Sequence, residues 1–133
     1  MSLQSDYYYA LVQEIRNRVY SSDLLSDDDK KDLKVFGYGH IGDGNLHLNV
    51  SLKGEYDNDE KQRKLENVVE PFVFEYIRDR KGSVSAEHGI GQQKADYLEF
   101  SKSNEQINLM KQIKASVDPN FILNPYKIFK SLD

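Results

Sequence analysis

The chain has 133 residues and a net charge of −4 at pH 7, which suits one domain with a hydrophobic core and gives no basis for nucleic-acid binding. It contains no cysteine, so disulfides and thiolate metal sites are excluded, and any metal would need His, Asp, Glu or other oxygen ligands. No apolar run is long enough to span a bilayer. Residues 1–3 are typical of an expression remnant, and we expect the chain to be an excised domain without a targeting segment.

The N-terminal part predicts one helix followed by a polar, acidic segment. Apolar residues recur at helical spacing between Ser5 and Tyr20, and Ser5 is a suitable N-cap. The periodic residues are Tyr8, Leu11, Val12, Ile15 and Val19. Residues 21–31 include three consecutive aspartates, which we interpret as a solvated loop or helix start rather than a cation site.

Residues 35–52 predict a β-hairpin that turns at Asp43 and Gly44, where both residues would adopt positive φ. Counting outward from this turn pairs His40 with His47 and brings their Cβ atoms to about 5 Å. Because side chains alternate along a strand, one face is polar and the other apolar. The polar face carries Phe36, Tyr38, His40, His47, Asn49 and Ser51, and the apolar face carries Val35, Gly37, Gly39, Ile41, Leu46, Leu48, Val50 and Leu52.

The clearest helical pattern follows a polar connection at residues 53–59. Asp57 and Glu60 are predicted to form a capping pair, and Gly82 is predicted to end the helix. Pro71 is expected either to kink the helix or to mark its beginning. An unbroken apolar stripe predicts packing against the apolar face of the hairpin, and it consists of Leu65, Val68, Val69, Phe72, Val73, Tyr76 and Ile77.

The third histidine of the chain lies beside a carboxylate. Residues 83–86 predict a short strand, and Glu87 and His88 follow in a bend bracketed by Gly89 and Gly91. By itself this segment has the composition of an ordinary surface loop. A carboxylate and an imidazole at such a turn are also typical of a functional site.

Together the residues predict a site for a divalent metal. His40, His47 and Glu87 would supply two histidines and one carboxylate, a common ligand set for divalent metals with open positions. The alternative is that the histidines are packed or solvated without a ligand.

The C-terminal part predicts two helices and an extended end. Residues 92–98 predict a short helix in which Lys94 is either solvated or available to an anionic group. Ser103 and Gln106 match a capping box, and residues 118–120 stop the last helix. Its predicted apolar face consists of Ile107, Met110, Ile113 and Val117. The order of elements predicts an α+β fold, with helices on one face of a small antiparallel sheet and the histidines on the other.

Three ordered motifs resemble one family. Residues 39–49 (GHIGDGNLHLN), 85–91 (SAEHGIG) and 123–127 (LNPYK) are similar to the C-terminal part of FAD-linked D-2-hydroxyacid dehydrogenases, flavoproteins of the vanillyl-alcohol oxidase type. These include D-lactate and D-2-hydroxyglutarate dehydrogenases, and the last motif looks more like the hydroxyglutarate branch. The resemblance covers about residues 30 to 129 and implies a ferredoxin-like fold and an FAD-binding domain outside residues 1–133.

The resemblance also implies roles for particular residues. The metal ligands, with Zn²⁺ as the expected cation, fall on His40, His47 and Glu87, and the substrate-binding asparagine falls on Asn49. The catalytic base falls on His88. His88 and Asn124 are also implied to contact the FAD cofactor. The implied reaction is oxidation of D-lactate or D-2-hydroxyglutarate to the 2-oxo acid, with mitochondrial or cytoplasmic location and an unidentified electron acceptor. The isolated chain is expected to be inactive.

Two other classes stay open at this point. One is a non-catalytic metal-binding α+β module, and the other is a metal-dependent hydrolase that uses Glu87 as its base. A flavin domain elsewhere in the parent protein would separate the dehydrogenase from both.

Overall fold

The protein is described by a computed structural model that covers residues 1–52 and 59–132. It has an α+β fold, which confirms the predicted class, but the two strands in the described part do not establish a ferredoxin-like arrangement. In chain order the elements are α1 (Tyr8–Ser21), α2 (Asp27–Asp32), β1 (Lys34–Tyr38), β2 (His47–Ser51), α3 (Asp59–Asp79) and α4 (Asn104–Val117). Short 3₁₀ helices occupy Ser5–Tyr7, Ile41–Asp43 and Ala95–Phe100.

The core lies between α1, α3 and the apolar face of the β1–β2 hairpin. The predicted stripes of both helices face this core, because residues at 3.6-residue spacing share one side of a helix. The fully buried side chains are Leu11, Ile15, Val19 and Ile77. Leu48 and Val50 pack against the same cluster from β2, while Phe36 and Tyr38 are exposed on the opposite face of β1. The predicted assignment of the two hairpin faces is therefore confirmed for the strand residues.

The register of the hairpin differs from the predicted one. Tyr38, not His40, pairs with His47, and Phe36 pairs with Asn49. Residues 39–46 form a longer connection in which Ile41–Asp43 is a 3₁₀ turn, and of the two predicted turn residues Gly44 has positive φ, at 68°, whereas Asp43 does not. A shift of two residues preserves the faces of the strands, since side chains alternate with period two. The shift removes Ile41 from the apolar face, and Ile41 is 67 % exposed.

Residues 1–3 are an integral part of the fold. Ser2 forms antiparallel bridges with Asn45 on one side and Ser83 on the other, and Leu3 is buried in the core. The carbonyl oxygen of Met1 accepts a hydrogen bond from the Leu46 N–H at 2.9 Å. This N-terminal segment thus joins the hairpin connection to the segment that leads to Glu87. Ser83 makes only this isolated bridge, so the predicted strand at 83–86 is wrong.

Several helix boundaries differ from those predicted. Ser5 does not cap α1: it begins a 3₁₀ turn, and α1 starts without a side-chain cap. Helix α3 runs through Pro71, so Pro71 does not mark its beginning. The predicted cap residue Asp57 lies outside the described residues. After α3 the left-handed residue is Lys81, with φ of 54°, and Gly82 instead gives room for the N-terminal segment, because a Cβ there would lie 2.5 Å from the Ser2 carbonyl oxygen.

Helix α4 begins and ends as predicted. Ser103 and Gln106 form the complete capping box, and the helix ends at Val117, before residues 118–120. None of its residues is buried, and Ile113 is 60 % exposed, so the predicted apolar face is not covered within the described part of the chain. The segment after it bends and turns rather than extending.

The short helix predicted at 92–98 lies slightly later. Residues 91–94 form a turn, and Ala95–Phe100 is a 3₁₀ helix. In the ranges that the structure covers, no helix combines the length and apolarity needed to cross a bilayer.

Candidate metal centre

His40 lies in the connection between β1 and β2, just before the 3₁₀ turn Ile41–Asp43. Gly39, with φ of 151°, allows the backbone after β1 to pass close to Asn45. A side chain at this position would not fit, because its Cβ would lie 2.1 Å from the Asn45 carbonyl oxygen. The turn is closed by hydrogen bonds from the Asp43 and Asn45 N–H groups to the His40 carbonyl oxygen. His40 therefore projects from a turn rather than from the strand, and His47 begins β2.

The three predicted metal ligands converge despite the changed register. His47 Nε2 lies 3.1 Å from Glu87 Oε1, and His40 Nδ1 lies 3.5 Å from Glu87 Oε2. One potential ligand atom from each of the three residues lies within 4.8 Å of the others. The imidazole rings are 6.2 Å apart and nearly perpendicular, at 86°. Two nitrogens and a carboxylate so close together are a candidate ligand set for a divalent cation.

The charge of Glu87 is favoured by its neighbours. A side-chain hydrogen bond with Asn45 is the largest effect that lowers the pKa of Glu87, and His88, His40 and His47 lower the pKa further. Desolvation acts in the opposite direction. The carboxylate is thus held ionised, which is the state needed in a metal ligand.

The predicted catalytic and substrate residues lie beside this cluster. His88 Nε2 is 3.1 Å from Glu87 Oε1, and the His88 ring is 5.6 Å from that of His47. His88 is largely exposed, with 69 % of its side chain accessible. Asn49 lies on the same face of β2 as His47, and its amide donates to the His47 carbonyl oxygen at 3.3 Å. Gly89 and Gly91, which follow, both have positive φ.

Asn124 lies in the C-terminal segment with its side chain exposed and its φ at 53°. That segment is tied to the bend after His88, because the Ile128 N–H donates to the Gly91 carbonyl oxygen at 2.8 Å. A contact of Asn124 with FAD stays a prediction.

The Lys94 side chain forms a hydrogen bond within the chain. Its Nζ donates to the Val84 carbonyl oxygen at 3.2 Å and so supports the segment that precedes Glu87. The three aspartates at 27–29 begin α2, where Ser26 caps the helix and Asp28 pairs with Lys31 at 2.7 Å. The interpretation of this run as a helix start is confirmed.

Sequence reasoning missed one residue of the site. Asn45 lies inside the 39–49 motif, but its predicted place in a tight hairpin gave it no role. In the structure it is 3 % exposed, and its Nδ2 lies 3.3 Å from His40 Nδ1. A polar residue within a GDGN turn is a weak signal for burial, so no pattern in the sequence could have identified it.

The fold and the site define an α+β domain that carries a candidate two-histidine, one-carboxylate metal centre. Residues 2–128 match the family described as "FAD linked oxidases, C-terminal domain", and the chain belongs to this family.

The chain is also similar to several enzymes over 96 % of its length. It is 45 % identical to a D-2-hydroxyglutarate–pyruvate transhydrogenase of Saccharomyces cerevisiae and covers 24 % of that protein. It is 44 % identical to a probable mitochondrial D-2-hydroxyglutarate dehydrogenase of Oryza sativa, of which it covers 20 %. It is 41 % identical to a putative mitochondrial D-lactate dehydrogenase of Schizosaccharomyces pombe, of which it covers 23 %. The chain therefore spans about a fifth to a quarter of the length of these relatives.

Proposed function

We propose that this chain is the metal-carrying C-terminal domain of a flavin-dependent D-2-hydroxyacid dehydrogenase. The substrate class is D-2-hydroxyglutarate or D-lactate, which the names of its relatives specify for those proteins. The observation that carries the proposal is the convergence of His40, His47 and Glu87, whose potential ligand atoms lie within 4.8 Å of one another. Family membership alone would not require these three residues to meet.

His40, His47 and Glu87 would hold a divalent cation, with Zn²⁺ as the first candidate. When bound, the cation supplies a positive charge that polarises the 2-hydroxyl of the substrate and lowers its pKa. These residues have nitrogen and oxygen donors only, which agrees with the absence of cysteine from the chain. Asn49, on the same face as His47, would orient a substrate oxygen through its amide.

His88 would act as the general base that takes the proton of the 2-hydroxyl. Its imidazole is exposed and lies next to Glu87, so substrate bound at the cluster would be within its reach. The substrate C2–H hydrogen would leave with its electron pair as hydride while His88 holds the hydroxyl proton, and FAD, when bound, would supply the hydride acceptor. FAD would be held mainly by the part of the longer protein outside this chain, and Asn124 and His88 would contact it from this chain.

Zinc binding by the 133-residue chain tests the metal site directly. Isothermal titration with Zn²⁺ should give near-stoichiometric binding, and Glu87→Gln should weaken the affinity by more than about tenfold. Removal of a residue that merely holds a ligand in place typically lowers metal affinity by about 10- to 100-fold, and removal of a ligand itself should lower it more. Glu14→Gln is the matched control because it makes the same change on the exposed side of α1. If the unaltered chain binds no Zn²⁺, or if Glu87→Gln and Glu14→Gln bind equally, the metal site is wrong.

The role of His88 needs the longer protein that contains this chain. We expect that protein to show a flavin absorbance that is bleached by D-2-hydroxyglutarate or D-lactate and not by the L-isomers. His88→Ala should lower the rate of bleaching by about 10²–10⁴-fold while Zn²⁺ stays bound. An unchanged rate would remove His88 as the base, and the absence of flavin would remove the dehydrogenase assignment.

The hydrolase alternative is less well supported by the geometry. Glu87 contacts all three imidazoles, at 3.1 to 3.5 Å, which suits a ligand better than a free base directed at water. A mitochondrial location is proposed from the names of the rice and fission yeast relatives, and fractionation of cells that express the longer protein would test it.

A further inference from the structure

Asn45 is an unusual residue to find buried at the base of the candidate metal centre. It is one of two polar residues that are buried among those described, at 3 % exposure. Its Nδ2 contacts His40 Nδ1 at 3.3 Å. A side-chain hydrogen bond from Asn45 is also the largest cause of the lowered pKa of Glu87. One amide group therefore contacts two of the three candidate ligands, which come from segments far apart in the sequence.

The other end of the same side chain shows that this arrangement does not serve the core. Asn45 Oδ1 is buried, and no group among the residues that the structure describes forms a hydrogen bond with it. A buried polar atom without a partner disfavours folding, whereas an apolar residue of similar shape would avoid that cost. An asparagine retained under these conditions is explained by what its Nδ2 does at the site.

The backbone of Asn45 is fixed from both directions. Its N–H donates to the His40 carbonyl oxygen at 3.2 Å, and it forms a bridge with Ser2, which in turn bridges Ser83. The segment that continues from Ser83 carries Glu87. Backbone hydrogen bonds and bridges thus connect Asn45 both to His40 and to the segment that carries Glu87.

We propose that Asn45 is a positioning residue of the metal centre, which holds the Glu87 carboxylate and the His40 ring in the relative orientation that a divalent cation needs. This inference rests on the proposed metal site. Asn45 is not a ligand in this scheme. Groups that hold ligands in place are typically worth 10- to 100-fold in metal affinity.

The test compares two variants of the full chain by Zn²⁺ titration. Asn45→Ala and Asn45→Leu both remove the Nδ2 contacts, and each should weaken Zn²⁺ binding by about 10- to 100-fold. Asn45→Leu also removes the unpaired Oδ1 and fills its volume, so its melting temperature should stay equal or rise. Weaker metal binding in a chain that is no less stable is a result that a purely structural role would not give.

Two controls separate positioning from general loosening. Val73→Ala shortens a buried side chain of α3 and should lower the melting temperature without changing Zn²⁺ affinity in the folded chain. In a Glu87→Gln background, Asn45→Ala should weaken binding by much less than it does alone, because residues that act through each other are not additive.

The outcomes distinguish the two proposals. If the unaltered chain binds Zn²⁺ and both Asn45 variants bind within about twofold of it, the positioning role is wrong and the metal site stands. If the effect of Asn45→Ala is unchanged in the Glu87→Gln background, Asn45 does not act through Glu87, and the inference also fails. If the unaltered chain does not bind Zn²⁺, the proposed site fails and this inference fails with it.

Discussion

Helices α3 and α4 have similar amphipathic sequences but opposite environments. On α3, Ile77 is fully buried against α1 and the hairpin, whereas on α4, Ile113 is 60 % exposed and no residue is buried. The comparison shows that helical periodicity identifies the apolar side of a helix but not whether anything covers it. In the described part of the chain, only the α1–α3–hairpin unit has a hydrophobic core of its own.

The α1–α3–hairpin unit and the segment after α4 are also stabilised by different interactions. The segment after α4 depends on Asp118, a buried carboxylate that pairs with Lys114 at 2.6 Å. Asp118 also accepts hydrogen bonds from the Ile122 and Leu123 N–H groups at 2.9 and 3.0 Å. Within this segment, non-glycine residues in the left-handed region add backbone strain of about 1–3 kcal/mol each, and they are Phe121, Asn124, Tyr126 and Ile128. Burial of apolar groups dominates the first region, and charge-assisted hydrogen bonds dominate the second.

The largest effect should come from the core. Ile77→Ala removes methyl groups from a fully buried site and should lower the free energy of unfolding by about 2–5 kcal/mol. Urea denaturation followed by circular dichroism measures this change. A loss of less than about 1 kcal/mol would mean that α3 is not packed as described.

The second effect depends on pH and should be confined to the C-terminal segment. The Lys114 ammonium, as the main cause, holds the pKa of Asp118 below its usual range. Because the folded-state pKa is lowered, the stabilisation is complete above the ordinary carboxyl pKa of about 3.9 and is lost as pH falls through the lower folded value. The amide resonances of Ile122 and Leu123 should therefore titrate with a midpoint below about 3.9.

Two variants test this assignment. Asp118→Asn should abolish the titration and weaken the order of the segment at neutral pH, while the α1–α3–hairpin unit is unaffected. Lys114→Met should move the midpoint back toward the ordinary value, since the largest cause of the lowered pKa is gone. A midpoint that does not respond to Lys114→Met would contradict the proposed pairing.

The smallest effect is expected on α4. Ile113→Ala makes the same chemical change as Ile77→Ala, but at an exposed position, so the free energy of unfolding should change by no more than about 0.5 kcal/mol. The same urea titration serves both variants. Equal losses for the two variants would remove the distinction between the regions.

Much of the candidate site was predictable because its residues carry local signals. The alternation of residues in β2 places His47 and Asn49 on one face, and that result survives the two-residue shift in register. The convergence of Glu87 with the histidines was inferred from residue types and family resemblance. The prediction of a tight turn at Asp43 and Gly44 was wrong, because Ile41–Asp43 adopts a 3₁₀ conformation. The Leu3 N–H donates a hydrogen bond to the Gly44 carbonyl oxygen, so this connection also has a partner that is distant in the sequence.

The sequence alone determined the helical faces of α1 and α3, the capping box of α4, the α+β class and the family, because these depend on spacing and short motifs. The tertiary structure alone decided the hairpin register, the burial of Asn45 and the exposure of α4. The physical reason is that these features depend on contacts between distant segments. Ser2, bridged to Asn45 and Ser83, is the clearest example, because no local pattern indicates that the N-terminal residues join the two segments that carry the candidate metal ligands.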